Sequence, residues 1–454
     1  MLPFLDSVKK FNGWLRDTFG LRLEQWPLFI AGLAFLLLSY LFMPNAVALA
    51  FSMALFIAPV WLPFLLVGGA FSAWLSWRRS EFLASQKNIL LEIKLPRNLV
   101  KTPLAMEAFL STLHLSGGES NWFLVWIKGS VRPFWSLEMA SFEGQVHFYI
   151  WTRATFRKLI ESQMYAQYPG VQLVEVVDYT RTISGEPRDW EGIWGCEFKQ
   201  TAEDPLPIKT YVEYGLDKVQ KEPEQVDPLA NLIEYMGSIG KGEYLWLQFV
   251  IRYHKGEKYH KKNKKGKTYT WRDQGLEMIE QIRKSTRDPY KDPVTGKEIP
   301  GFPNPTKGQM EKIAAIERNT SKLAFDVGIR GIYFVKGKFS LVTVLHLIAL
   351  FKPFNTEGWN GLNSAAWMKR FDDYPWEFGV EKIKRQYRIK MVEAYRRRQF
   401  FYEPFWFGIP KDDLIVMSTE ELATVFHIPS STVAAPGLGR IQSATGEAPV
   451  NLPT

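Results

Sequence analysis

Cysteine is almost absent: Cys196 is the single one among 454 residues. One thiol excludes an intrachain disulfide and any metal site built from several cysteines, and it fits a reducing compartment. In the run Trp194-Gly195-Cys196-Glu197-Phe198 it reads as a small buried packing residue rather than a nucleophile. Histidine is scarce too, and the residues at 114, 147, 254, 260, 346 and 427 show no metal-ligand spacing. No serine sits in a nucleophile-elbow pattern. The carboxylate pairs Asp372-Asp373 and Glu420-Glu421 are adjacent, so their side chains leave on different faces of a regular element. Gly266-Lys267-Thr268 imitates the end of a phosphate loop, but the first glycine of that loop would fall at 261, where the chain has Lys261. The sequence predicts no catalytic residue, no metal and no cofactor, hence a protein that is not an enzyme.

Charge is missing from one long stretch, since residues 26–77 contain no Asp, Glu, Lys, Arg or His. A helix crossing the hydrocarbon of a bilayer takes ~20 apolar residues. The stretch therefore predicts a two-helix transmembrane hairpin over 26–77, with helices near 27–43 and 48–76 and a turn at Pro44-Asn45. Pro59 and Pro63 would kink the second helix. A cleaved signal peptide is the competing reading, but its apolar core would be shorter and nearer the start. Lys9, Lys10, Arg16 and Arg22 precede the stretch and Arg78, Arg79 and Lys87 follow it. Basic flanks on both sides place both ends in the cytoplasm, so the expected location is the inner membrane with the bulk of the chain facing the cytoplasm. Within 1–25, Phe4, Val8, Phe11 and Leu15 recur at helical spacing, as in an interfacial helix or one packed on its own domain.

What is present elsewhere is a long, aromatic-rich chain with a formal net charge of only +9, enough for two α+β domains. Over 86–180 the order of elements is strand (89–95), helix (103–115, opened by Pro103), strand (135–141), strand (146–152), helix (153–168) and strand (171–177). Glu143-Gly144 supplies the hairpin turn, and Gly117-Gly118 and Pro169-Gly170 stop the helices. That order is the split βαβ of a ferredoxin-like sandwich. Over 190–427 a second α+β domain repeats the logic less cleanly, with strands at 193–200, 208–213, 244–253 and 325–335. Its helices fall at 228–239, 272–285, 307–323 and 341–351, and capping boxes start at Thr306 and Ser418. Residues 428–454 hold few large apolar side chains and read as a flexible tail, disordered or laid along a partner.

Positive charge is concentrated in two segments. Lys255, Lys258, Lys261, Lys262, Lys264, Lys265 and Lys267 crowd a loop within 254–270. It reads as an anion-binding tip for nucleic acid or acidic lipid, or as a plain solvated loop. Residues 382–398 form a basic helix in which Ile383, Tyr387, Met391 and Ala394 share one face, leaving Lys384, Arg385, Arg388 and Arg396 outward and Arg397 and Arg398 at the end. Tyr395, Phe400, Phe401 and Tyr402 interleave aromatics with this charge, which suits stacking on single-stranded bases; a membrane surface or bulk solvent are the rival destinations.

Three sets of residues carry a resemblance. They are Leu90 with Glu92-Ile93-Lys94-Leu95-Pro96; Glu161-Ser162-Gln163 with Tyr165-Ala166-Gln167-Tyr168-Pro169; and Asp227-Pro228-Leu229 with Gly242-Glu243 and Gln248. Together with the run from Ser418 to Pro429, they resemble a bacterial family of membrane-anchored proteins without an assigned activity. The same residues are similar to the segment before the motor domain in conjugation and type IV secretion ATPases of the FtsK and HerA kind, where an Asn-Leu-Pro comparable to Asn451-Leu452-Pro453 leads into the motor. The resemblance implies a membrane-anchored, motor-less subunit of a DNA or protein translocation apparatus that docks a separate motor ATPase and is expected to be an oligomer. The alternative is a stand-alone, membrane-tethered protein binding nucleic acid or anionic lipid.

Overall fold

The computed structural model describes residues 25–97, 99–186, 188–217, 226–259, 261–263, 266–291, 298–365, 380–402, 414–431 and 437–441. The interfacial helix expected within 1–25, Lys264, Lys265 and the end of the tail lie outside them. The chain divides into two compact units, one comprising residues 1–78 and 368–386, the other 79–367 and 387–454.

The first unit carries α1 (Gln25–Phe42) and most of α2 (Pro44–Ser85), so both helices expected in the uncharged stretch form, broken at Met43. They do not make the expected transmembrane hairpin. Among the described residues no helix is long and apolar enough to cross a membrane. Arg78, Arg79 and Glu81 follow the uncharged stretch inside the same helix. The two-span membrane contact is corrected accordingly, and α1 and α2 are described by themselves as apolar helices with exposed side chains such as Phe42 and Phe56.

The second unit is built on one sheet. Its elements in chain order are β1 (Asn88–Pro96), α3 (Pro103–Thr112), α4 (Trp122–Trp126), β2 (Phe134–Phe142), β3 (Gln145–Arg153), α5 (Arg157–Gln167), β4 (Gln172–Val176) and α6 (Tyr179–Thr182). There follow β5 (Gly192–Gln200), α7 (Pro228–Ser238), β6 (Glu243–Tyr253), α8 (Trp271–Ser285), β7 (Arg287–Lys291), β8 (Glu298–Pro303), α9 (Lys307–Ser321), β9 (Ala324–Val335), α10 (Leu341–Ala349) and β10 (Leu362–Ala365). The last are α11 (Val380–Arg396, whose first residues belong to the other unit), β11 (Ile415–Ser418), α12 (Thr419–Val425) and β12 (Arg440–Ile441). Strands β4-β1-β3-β2 make one split βαβ module, and β10-β5-β9-β6 make a second with the same order. The modules join edge to edge through β2 and β6, antiparallel from Phe134↔Arg252 to Phe142↔Tyr244, so a single sheet runs through both. The β2–β3 hairpin turns as expected at Glu143 and Gly144, both with positive φ, which glycine meets without strain.

Alternation along the strands sorts two faces. On one, Leu91, Leu137, Phe148, Phe198, Phe249 and Ile329 are buried under α3, α5, α7 and α10 in one apolar core. The other face carries Trp151, Trp246, Ile332 and Phe334, covered by Met391, Val392 and Tyr395 of α11 and by Phe400, Phe401 and Tyr402. Gly328 lets the Phe400 ring lie directly on the sheet, since a side chain there would overlap it.

The expected strand at 208–213 is absent. The N–H groups of Ile208 and Tyr211 donate instead to Glu421 Oε1 (3.1 Å) and Thr424 Oγ1 (3.0 Å) of α12. Every residue of that helix is buried, against α3 and α7 from the two modules. The tail is not wholly free either: β12 adds parallel to β1 at Leu95↔Arg440 and Pro96↔Ile441, and Leu438 is buried beside Val146.

Candidate functional site

The two basic segments lie in different settings. The loop of 254–270 leaves β6 and belongs to the insertion, with α8, β7–β8 and α9, that separates β6 from β9. Its root is tied down: Lys258 pairs with Asp204 at 2.6 Å, Lys261 lies 3.7 Å from the centre of the Tyr269 ring and 3.5 Å from Glu277, and Lys255 donates to the Glu119 carbonyl at 3.3 Å. Lys262 and Lys267 are exposed near its tip.

Helix α11 is basic, as expected, but its C-terminal end is part of the core. Lys384 lies 3.6 Å from Glu381, and Arg385 is exposed. Arg388 is half-buried. Arg396 donates to the Thr180 and Ile183 carbonyls and pairs with Glu393, which also pairs with Arg397. Arg398, expected on an anion-binding surface, is buried instead. Its Nε donates to Glu138 Oε1 at 2.9 Å and its other nitrogens reach Asp178. The aromatics expected to stack on bases, Tyr395, Phe400, Phe401 and Tyr402, are buried on the sheet.

Beneath Arg398 runs a transverse row of polar residues in register across four strands: Glu138 (β2), Gln248 (β6), Arg330 (β9) and Glu197 (β5). Gln248 donates to Glu138 at 3.2 Å, Arg330 Nε donates to Glu197 at 3.1 Å, and the Arg330 guanidinium lies under the Phe400 ring. Tyr179 donates to Glu138 Oε2 at 2.8 Å and shares a hydrogen bond with Tyr395. Burial pushes both phenols well up, so they stay neutral at ordinary pH. Burial also opposes ionisation of Asp178, but the Arg398 guanidinium outweighs it and holds the carboxyl below its usual range. Arg398 has a positive φ at the end of α11, a conformation that costs a non-glycine residue roughly 1 kcal/mol. Its ion pairs hold it there. A second cluster lies near the loop root, where Asp326 accepts from Arg252 at 2.9 Å and from His254 at 2.6 Å. Each buried cation of these two clusters has its carboxylate close by, the pattern of a structural network rather than a reacting centre.

Beside this network opens a cavity of about 580 Å³, between the end of α2 past Ser80, the start of β1, the ends of β3 and β4, and residues 396–402. Arg153, Trp151 and Phe134 line it. In the sequence Arg153 opens the expected helix at 153–168, and only the folded chain shows it closing a strand where, among the described residues, no carboxylate pairs with it. Among the described residues no group of histidine, cysteine and carboxylate side chains could hold a metal ion. Comparison of the chain with protein-family models, with curated proteins and with solved structures returns no match.

Proposed function

We propose that this chain is a non-enzymatic docking subunit of a conjugation-like or type IV secretion-like apparatus for DNA or protein, receiving a motor ATPase made as a separate chain. The observation that favours docking over the alternative, a nucleic-acid or anionic-lipid binder, is the fate of the candidate cations. Lys258, Lys261, Arg396, Arg397 and Arg398 are engaged by carboxylates of the same fold. A groove that follows a phosphate backbone needs its cations available to the ligand. The motor itself is inferred from the resemblance of the run from Ser418 to Pro429. That run forms α12, the piece buried against both modules, and the chain then passes through β12 at the sheet edge. A motor that follows this run in the resembling enzymes would here dock where the chain leaves β12.

The test is affinity capture of the tagged full-length protein from its native host, with mass spectrometry of the co-purified proteins, alongside a variant truncated after Ile441. Recovery of an ATPase of the FtsK or HerA kind that drops with the truncation supports the reading. No such ATPase with the full-length chain, or equal recovery with both chains, sinks it. DNA binding whose log affinity falls steeply with log salt, with a slope of about −0.9 per phosphate contact, would restore the alternative.

A further inference from the structure

We propose that the cavity bounded by Arg153, Trp151, Phe134 and Arg181 is a binding site for a small amphiphilic anion, a phosphate monoester carried on an apolar body. It is a site distinct from the docking edge, and it stands or falls independently of the docking reading.

The charge requirement comes from Arg153. This residue ends β3 and is only 9% exposed. Its polar contact is a 3.5 Å approach of one terminal nitrogen to the Val131 carbonyl, and its guanidinium lies 5.4 Å from the centre of the Phe82 ring. Among the described residues no carboxylate pairs with it. Burial accordingly pulls its pKa below the usual arginine value, with only the weak influence of Tyr402 opposing. The other buried arginines of this unit behave differently. Arg132, Arg252, Arg330 and Arg398 each have a carboxylate at ion-pair distance. Taking a guanidinium out of water without an anion is costly, so a buried arginine facing a cavity supplies the attraction an anionic ligand would satisfy. A further cationic group faces the same space: Arg181 lies at the rim, exposed.

The need for an apolar body comes from the walls. The Trp151 and Phe134 rings lie 5.4 Å apart along one side, and Leu83, Ile89 and Phe401 continue the lining. The carboxylates at the cavity are already engaged, Asp178 by Arg398 and Glu175 by Arg157, so they leave the cationic group facing the ligand unopposed. A volume of about 580 Å³ is too large for a bare phosphate and lies within the range of ordinary small-molecule sites.

The phosphate monoester could belong to a lipid headgroup or to a free metabolite-sized compound, and the experiment separates these sources from inorganic phosphate. The full-length protein is titrated calorimetrically with monomeric dihexanoyl phosphatidic acid, with hexyl phosphate, with uncharged dihexanoylglycerol and with inorganic phosphate. Saturable binding of either amphiphilic phosphate, at least ~10-fold tighter than of dihexanoylglycerol or inorganic phosphate, is the expected result. Preference for dihexanoyl phosphatidic acid points to the lipid source, and preference for hexyl phosphate to the soluble one. Arg153→Met keeps the length of the side chain and removes the charge, so it should lose at least ~10-fold in affinity while melting no lower than the parent. Should that variant misfold, Arg181→Gln at the exposed rim serves instead, with a loss of a few-fold. Equal binding of the uncharged diacylglycerol, inorganic phosphate binding as tightly as the amphiphiles, undiminished affinity in Arg153→Met, or no binding at millimolar concentration each overturn the proposal.

Discussion

The two faces of the sheet are closed by opposite means. The face under α3, α5, α7 and α10 is closed mainly by apolar packing, built from side chains such as Leu91, Leu137, Phe249 and Ile329. The face under α11 and Phe400–Tyr402 mixes large aromatics with the ionic row Glu138, Gln248, Arg330 and Glu197, closed from above by Arg398. Apolar packing tolerates changes of shape as long as volume is kept, whereas a buried ion pair fixes one partner for each charge. The second face thus sets where the C-terminal part of α11 lies, and Arg398 accepts a strained backbone to hold that position.

The largest expected effect tests this contrast directly. Arg398→Met leaves Glu138 and Asp178 buried without their cation and should lower stability by about 3–5 kcal/mol. Phe249→Ala, on the apolar face, should lose a similar ~3–5 kcal/mol through its cavity. Urea unfolding of each, repeated with Glu138→Gln added, tells them apart. Removing Glu138 should return part of the loss in the Arg398 background and none in the Phe249 background, and equal behaviour would mean the row is not coupled to Arg398.

A smaller effect concerns pH. Glu421 caps α12 by accepting from the N–H groups of Ser418 and Ile208, yet burial, the dominant influence, pushes its carboxyl up to about 8. The folded state therefore holds a proton there that the unfolded chain releases near its ordinary value. The stability linked to this group is present below about 4.5 and is lost as pH rises towards 8. Glu421→Gln keeps an accepting oxygen without the charge. Relative to the parent it should gain at least about 1 kcal/mol between pH 5 and pH 8.5 in denaturant titrations. A constant difference across that range would place the ionisation outside it.

The smallest effect lies outside both faces. Lys261→Ala breaks a pair in which both side chains are about half exposed, and should change stability by less than ~1 kcal/mol. A larger loss in thermal melting would show that the basic loop braces the insertion.

Much of the fold was legible because its signals are local. Alternation marked β1, β2, β3, β6 and β9, Pro103 and Pro228 marked helix starts, and the capping boxes at Thr306 and Ser418 form as read. Some of the misses are elements that exist only through partners far along the chain. Strand β11 is the four residues Ile415–Ser418, held by β9, and β12 is two residues held by β1. The segment at 208–213 has a strand-like pattern, but the side chains of α12, more than 200 residues away, take its N–H groups. The candidate site was read less well, since a run of arginines and aromatics looks the same whether it faces solvent or a sheet.

By itself the sequence determined the apolar face and the first split βαβ module, because burial of alternating side chains and the capping of helix ends are decided within a few residues. Only the tertiary structure decided that β2 meets β6 to make one sheet, that Arg398 faces Glu138 and Asp178, and that Arg153 faces an open cavity. Electrostatic partnership depends on distance in space, and a charge carries no mark along the chain of whether an opposite charge, water or an empty cavity will stand beside it.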